Sequence, residues 1–327
     1  MAESTLSMHY NDLLDAMSFF VHGQADADSL SAADKANLVT CLKSGYRQFL
    51  YPPGMEGVEA GYEWSFLRPL TTLTTTEAYE TGTLEVASGT CTLTGGTWPS
   101  WAATHGILTI GAVEYTVSSR DGDTLLTVVG DDVDSGEDDW SLAHDGDYDL
   151  PDNFGRLLSD FTFARGTQKP AILADVGEGK ILKNRNWSDE TGDPRMAGIK
   201  TVAPANTESA RKQVMFWPRP TEETVLTYQY EILVDALIST PTYPACAMKH
   251  METVRESCLS MAEITFNDRR GSHWDLFRER LIGSIARDKK ESPKYFGDVG
   301  PGSQYSGRGS GFIDTSYGLT AYGTRIQ

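Results

Sequence analysis

The spacing of apolar residues changes twice along this sequence, and this change most constrains the fold. Near the amino terminus, apolar residues recur at the spacing of one helix face: Leu13, Leu14, Met17, Phe20 and Val21. From residue 71 to about residue 130, apolar and polar residues alternate in a Thr-, Gly- and Val-rich stretch typical of short strands. Helical spacing returns between Met248 and Ile285. The pattern predicts an α+β protein.

The helices carry recognisable boundary signals. Ser31 with Asp34 three residues later predicts a capping box, and the proline pair at 52–53 ends the helix that follows. Near the carboxyl terminus, Ser272 and Asp275 predict a second capping box. The helix before it has one apolar face, predicted to be core rather than a cofactor pocket, formed by Met248, Met251, Val254, Cys258, Met261 and Ala262.

Short strands are predicted between glycine-containing turns. In the Thr-rich stretch they lie at 84–86, 91–93, 107–110, 115–117 and 125–128, which favours a small β-barrel or sandwich. Outside this stretch, strands are predicted at 62–67, 171–173, 180–182, 196–202, 213–217 and 225–234.

The chain is acidic, with a formal net charge of −18. This charge argues against a protein that coats duplex DNA or docks on an anionic membrane. Residues 131–152 hold ten carboxylates and no Lys or Arg, and we expect a solvated loop there. A calcium loop is disfavoured because the EF-hand register fails: Gly136 is fifth from Asp132, and Leu150 is sixth from Asp145.

Signals for chemistry are absent from the sequence. The four cysteines form no C-x-x-C pair and are predicted to be reduced. The six histidines, at 9, 22, 105, 144, 250 and 273, lack paired ligand spacing, so no metal or cofactor is expected. There is no nucleophile elbow, Walker loop or H-E-x-x-H motif, and no catalytic residue is predicted. We also expect no secretory signal and no membrane span.

The carboxyl-terminal 31 residues contain eight glycines and show no helical or strand period. Such a composition is typical of a flexible tail, but a purely solvating tail has few aromatic residues. The spaced apolar side chains therefore predict docking on a partner, through Tyr305, Phe312, Ile313, Tyr317 and Tyr322.

Several segments resemble the head-to-tail adaptor (connector) proteins of tailed bacteriophages. The amino-terminal part of these adaptor sequences is similar to SGYRQFLYPP at 44–53 and YEWSFLRP at 62–69. Later blocks of the family are similar to GDYDLPDNFG at 146–155, to 217–220 with 226–230, and to the helix pair at 252–285.

The resemblance implies a discontinuous domain organisation. Residues 1–70 and 146–291 would form a helical adaptor core with a small antiparallel sheet. Residues 71–145 would be an inserted all-β barrel or sandwich, absent from the smaller adaptors. Residues 292–327 would be the extended tail.

The resemblance also implies a role in the virion neck, after assembly in the host cytoplasm. Such adaptors form a ring, typically twelvefold, beneath the portal protein, and they dock the stopper, tail or nozzle protein. They have no enzymatic activity and need no cofactor. Viral DNA passes through the ring without specific binding, and acidic channel walls repel its phosphates.

Two other functions compete with the adaptor role. A virion receptor- or carbohydrate-binding protein could stack sugars on Trp98, Trp101 and Trp140, although tryptophans in such a stretch more often form the β-domain core. A secreted polysaccharide-degrading enzyme is disfavoured by the expected free cysteines and the missing signal peptide.

Overall fold

The computed structural model describes residues 4–291 apart from 56, 59–60, 112, 131–138, 168, 175, 189, 203–210 and 240–241. The chain divides into a helical unit, residues 1–66 with 236–327, and a β unit, residues 67–235. The described helices are α1 Tyr10–His22, α2 Ala32–Leu50, α3 Ala102–His105, α4 Glu178–Trp187, α5 Met251–Asn267 and α6 Ser272–Glu291. With antiparallel sheets in the same chain, the α+β prediction is confirmed. No helix in the described part of the chain has the length and apolar content needed to cross a bilayer.

Helices α2 and α6 begin in two different ways. One half of the capping box predicted for α2 is confirmed, because the Asp34 amide donates to Ser31 Oγ at 3.2 Å, while the Asp34 carboxylate accepts from Ser31 Oγ at 2.7 Å. The predicted cap of α6 is wrong. Ser272 is already helical, and the Glu263 carboxylate of α5 accepts the Gly271 amide at 3.0 Å. A side chain from a neighbouring helix therefore supplies the acceptor that local spacing assigned to Ser272.

α2 and α5 cross at very close range. A Cβ built on Gly45 would lie 2.5 Å from Cys258 Cα, so only glycine permits this approach. Ser257 Oγ also donates to the Gly45 carbonyl at 2.7 Å. Most of the predicted α5 core face is buried, including Met251, Val254, Cys258 and Ala262. All four cysteines are free, as predicted, and all four are also buried.

The segment after α2 is a cluster of rings rather than the predicted strand at 62–67. It contains a short 3-10 turn, Ser65–Leu67. Trp64 stacks on Phe49 at 4.7 Å between ring centroids, and its Nε1 donates to the Phe49 carbonyl at 3.1 Å. Buried Asp288 of α6 accepts from Tyr62 Oη at 2.7 Å and from Ser65 Oγ at 2.6 Å. The strand prediction is wrong because these side chains converge on one helical surface instead of alternating between two faces.

The β unit contains thirteen strands in three antiparallel sheets among its described residues. The strands are β1 Leu70–Thr74, β2 Thr83–Ala87, β3 Thr90–Thr94, β4 Gly106–Ile110, β5 Val113–Arg120, β6 Leu125–Val128, β7 Trp140–His144, β8 Asp147–Asp149, β9 Phe154–Leu157, β10 Thr162–Phe163, β11 Met196–Val202, β12 Arg211–Trp217 and β13 Val225–Ile232. A six-stranded sheet of order β2-β3-β6-β5-β4-β7 curls into a half-barrel with its own apolar core. The other sheets are β11-β12-β8 and a sheet in which β13 pairs with β1, β9 and β10.

The five strands predicted in the Thr-rich stretch are confirmed as β2 to β6, and β11 to β13 were also predicted. Two other predictions are wrong. Residues 180–182 lie in helix α4, and residues 140–144 and 147–149 of the predicted acidic loop form β7 and β8. Residues 171–173 form only isolated bridges, through Ile172 and Leu173. Residues 131–138 of the acidic segment lie outside the described part of the chain.

The observed division differs from the predicted one in where residues 146–235 belong. They belong to the same unit as residues 67–145, because β13 pairs along the whole of β1 and because Tyr148 reaches back to residue 76. The predicted tail, residues 292–327 with Tyr305, Phe312, Ile313, Tyr317 and Tyr322, lies outside the described residues.

Candidate functional site

Two imidazoles and one carboxylate meet at the edge of the six-stranded sheet. His105 ends α3 immediately before β4, and His144 ends β7. The pairing of β4 with β7 places Gly106 opposite His144. The Asp145 amide then donates to the His105 carbonyl at 2.8 Å. Backbone pairing alone therefore joins side chains that lie 40 positions apart in the sequence.

The side chains of this His–Asp cluster (His105, His144 and Asp145) are in mutual contact. His105 Nδ1 lies 3.2 Å from both carboxylate oxygens of Asp145, and His144 Nδ1 lies 3.3 Å from Asp145 Oδ1. Two backbone amides fix the arrangement. Gly146 N donates to His144 Nδ1 at 3.2 Å, and Asp147 N donates to Asp145 Oδ1 at 2.9 Å. The two backbone donors therefore hold the imidazole of His144 and the carboxylate of Asp145 in position.

The electrostatics favour an ionised carboxylate. Burial raises the pKa of Asp145, but hydrogen bonds from His105, His144 and the Asp147 amide outweigh burial and hold that pKa well below its usual range. In return, the hydrogen bond to Asp145 raises the pKa of His105, and burial only partly opposes this effect. The cluster thus holds a fixed negative charge beside a basic imidazole.

The ring of His144 packs among three other rings, including that of His105 at 4.8 Å between centroids. The His144 ring is parallel to Tyr148 within 2°, at 4.1 Å between centroids, and Trp101 lies 5.3 Å away. Tyr148 is anchored because its hydroxyl accepts the Thr76 amide at 3.1 Å, and burial raises the pKa of Tyr148. The positions of the imidazole and its neighbours are therefore set by packing.

One side of the cluster opens to a groove of about 360 Å³. The groove is lined by Ile107, Glu114, Tyr115, Thr116, Asp145, Arg185 and Arg219. The side chain of Asp145 keeps 30% of its surface exposed, whereas that of His144 keeps 4%. A small ligand in the groove would therefore meet the carboxylate first.

The charges around the groove are paired. Buried Asp147 lies 2.8 Å from Arg185 Nη1 and also contacts Lys200. Arg219 Nη2 lies 3.3 Å from Glu114 Oε1. Gly146, at a φ of +84°, makes room for the arginines, because a Cβ there would lie 2.9 Å from Arg185 Nη2. Since each cation faces a carboxylate, the groove does not resemble a phosphate-binding site.

The tryptophans considered for sugar stacking are mostly core residues. Trp98 and Trp140 retain 1% and 9% of their surface and pack inside the six-stranded sheet. Trp101 is partly buried against the same core. Trp98 and Trp140 are therefore not available as a platform for a sugar ring.

Spacing along the sequence does not reveal the His–Asp cluster. His144 and Asp145 lie in the segment predicted to be a solvated loop, and His105 is remote from them. The β4–β7 register is the signal that would have revealed the cluster.

No protein-family model matches this sequence, and no significant match to a curated protein was found.

Proposed function

We propose that this protein is a head-to-tail adaptor of a tailed bacteriophage, which assembles as a ring, typically twelvefold, beneath the portal protein. In this proposal it extends the DNA channel and docks the stopper, tail or nozzle protein in the virion neck. The protein acts as a structural component, without catalysis and without a cofactor.

The packing of the helical unit is the observation that carries the proposal. The adaptor-like segments at 44–53, 62–69 and 252–285 come from opposite ends of the sequence. Within the helical unit, Gly45 of the first segment packs on Cys258 of the last. Tyr62 of the second donates to Asp288, three residues beyond the last segment. Segments selected only for their resemblance to one family therefore form a common packed core.

The adaptor-like segments of the β unit also lie together. Tyr230 Oη of the 226–230 segment donates to Asn153 Oδ1 of the 146–155 segment at 3.1 Å. The Phe216 amide, directly before the 217–220 segment, donates to the Gly146 carbonyl at 3.0 Å. This proximity gives a second, independent reason to treat the resemblance as structural.

The charge of the chain fits a channel for DNA. With a net charge of −18 per chain, a ring of many copies would present a strongly negative surface. Phosphates would be repelled at short range, within about 10 Å at ordinary salt. DNA could then move through the ring without adhering to its wall.

The proposal is tested by electron microscopy of the purified full-length chain, alone and mixed with the portal protein of the same phage. We expect rings, or ring-shaped caps on portals, with the symmetry resolved in class averages. A chain that remains monomeric under both conditions would refute the proposal.

A fluorescence-anisotropy titration with duplex DNA at physiological salt tests the channel. We expect no binding tighter than micromolar. A salt-sensitive dissociation constant below micromolar would contradict a channel wall that does not bind DNA, whatever the oligomeric state.

A further inference from the structure

We propose that His105, His144 and Asp145 form a binding site for one divalent transition-metal ion, with Zn²⁺ as the preferred ion. This proposal does not depend on the proposed adaptor function. The spacing of the three residues in the sequence does not predict the site.

The distances within the cluster fit metal coordination. Zn²⁺ binds nitrogen and oxygen ligands at about 2.0–2.2 Å, so two ligand atoms of a tetrahedral site lie about 3.4 Å apart. Two edges of the cluster already have nearly this length. Asp145 Oδ lies 3.2 Å from His105 Nδ1 and 3.3 Å from His144 Nδ1. The candidate ligand atoms all lie within 4.8 Å of one another. The rings of His105 and His144 are 15° from parallel at 4.8 Å between centroids, so the His105 ring must turn before both imidazoles can point at one ion.

The chemical identity of the ligands selects the ion. Two imidazole nitrogens and one carboxylate suit Zn²⁺ and similar transition metals, whereas Mg²⁺ and Ca²⁺ prefer oxygen-only sites. Coordination requires an imidazole nitrogen without a proton. A bound ion would replace the 3.2 Å contact that His144 Nδ1 accepts from Gly146 N.

Groups next to the His–Asp cluster fix the orientation of its side chains. The Asp147 amide holds the Asp145 carboxylate at 2.9 Å, and parallel packing on Tyr148 fixes the ring of His144. Neighbours of this kind orient the ligands of natural metal sites. The groove beside Asp145 provides an entry path, and water from the groove would complete the coordination.

The position of the cluster gives the ion a structural task. His105 and His144 belong to the paired strands β4 and β7, and Asp145 begins the link to β8 in the next sheet. One ion at this point would cross-link the six-stranded sheet to the strand that follows it. Binding to the folded chain alone would then raise the melting temperature with increasing Zn²⁺.

The test is a calorimetric titration of Zn²⁺ into the full-length chain after removal of metals with a chelator. We expect one tight ion per chain. We expect Asp145→Asn and His105→Gln each to weaken this binding at least about tenfold, the smallest loss typical even of supporting residues. Asp145→Asn retains an oxygen that can accept the Asp147 amide, so the local fold is kept. His9→Asn is the matched control, because it removes a histidine elsewhere, preserves a helix-capping acceptor and should leave Zn²⁺ binding unchanged.

Wild-type chain that binds no Zn²⁺ would overturn the proposal. So would folded Asp145→Asn and His105→Gln chains that bind Zn²⁺ as tightly as the wild type. Co²⁺ provides a readout that needs no variant. A visible spectrum of tetrahedral Co²⁺ with nitrogen and oxygen ligands supports the site, and a spectrum equal to that of the hydrated ion overturns it.

Discussion

The α2–α5 crossing makes a sharp prediction for Gly45→Ala. The added Cβ would lie 2.5 Å from Cys258 Cα, 2.8 Å from Cys258 N and 2.9 Å from the Ser257 carbonyl oxygen. All three atoms belong to the backbone of α5, so no side chain can rotate away. The helices must separate by several tenths of an ångström along their contact.

The size of the effect follows from opposing contributions. Overpacking of this kind costs about 1–3 kcal/mol. Separation also weakens the 2.7 Å hydrogen bond from Ser257 Oγ to the Gly45 carbonyl, worth about 1 kcal/mol. Alanine is favoured over glycine in a helix by about 1 kcal/mol, which offsets part of the loss. The net destabilisation should be about 2 kcal/mol.

Urea unfolding followed by far-ultraviolet circular dichroism measures this change, because the long helices belong to the helical unit. Gly283→Ala is the matched control. It makes the same substitution within α6, where an added Cβ has no heavy atom within 4 Å. The free energy of unfolding of this control variant should increase by about 0.5–1 kcal/mol, because alanine has a higher helix propensity than glycine. Equal stability of the two variants would refute close backbone contact at Gly45.

Three further predictions concern the helical unit and the tail. Burial lowers the pKa of His250, so between the lowered folded pKa and about pH 6.5 the unfolded chain binds more protons than the folded chain. The melting temperature should therefore drop as the pH is lowered through this window, and it should drop less steeply in His250→Phe. Asp288→Ala should lower the free energy of unfolding, measured in urea, by about 2–3 kcal/mol, because Tyr62 and Ser65 lose their hydrogen-bond acceptor. A decrease below about 0.5 kcal/mol, the size expected for an ordinary surface substitution, would contradict this prediction. Deleting residues 300–327 should leave the melting temperature nearly unchanged and abolish co-sedimentation of the protein with DNA-filled heads. If the truncated chain attaches to heads as well as the wild type does, the tail does not dock on a partner and this prediction is wrong.

Sequence periodicity predicted elements that bury a regular face. The strands of the Thr-rich stretch alternate, so Leu84, Cys91 and Leu126 turn inward as the pattern indicates. The stripe of α5 likewise places Val254 and Cys258 in the core. In both cases local spacing and tertiary burial agree, and the pattern is sufficient.

Prediction failed where tertiary contacts replace periodicity. Helix α4 buries only Ile181, so no helical stripe marks it. β7 was hidden because the acidic residues around it predicted a solvated loop, although Leu142 is fully buried within it. The His–Asp cluster depends on β7, so missing the strand also concealed the cluster. A charged segment in sequence is therefore weak support for a loop when apolar residues alternate within it.

The His–Asp cluster explains why the six-stranded sheet is part of a larger unit. Its link to the following strand is short, and the ring of Tyr148 in β8 packs directly on His144 of β7. The Tyr148 hydroxyl also accepts the Thr76 amide, so a residue before the six-stranded sheet and one after it are held together. Two contacts of one side chain, the ring stack on His144 and the hydrogen bond to residue 76, therefore limit how far the six-stranded sheet can turn about its short link to β8.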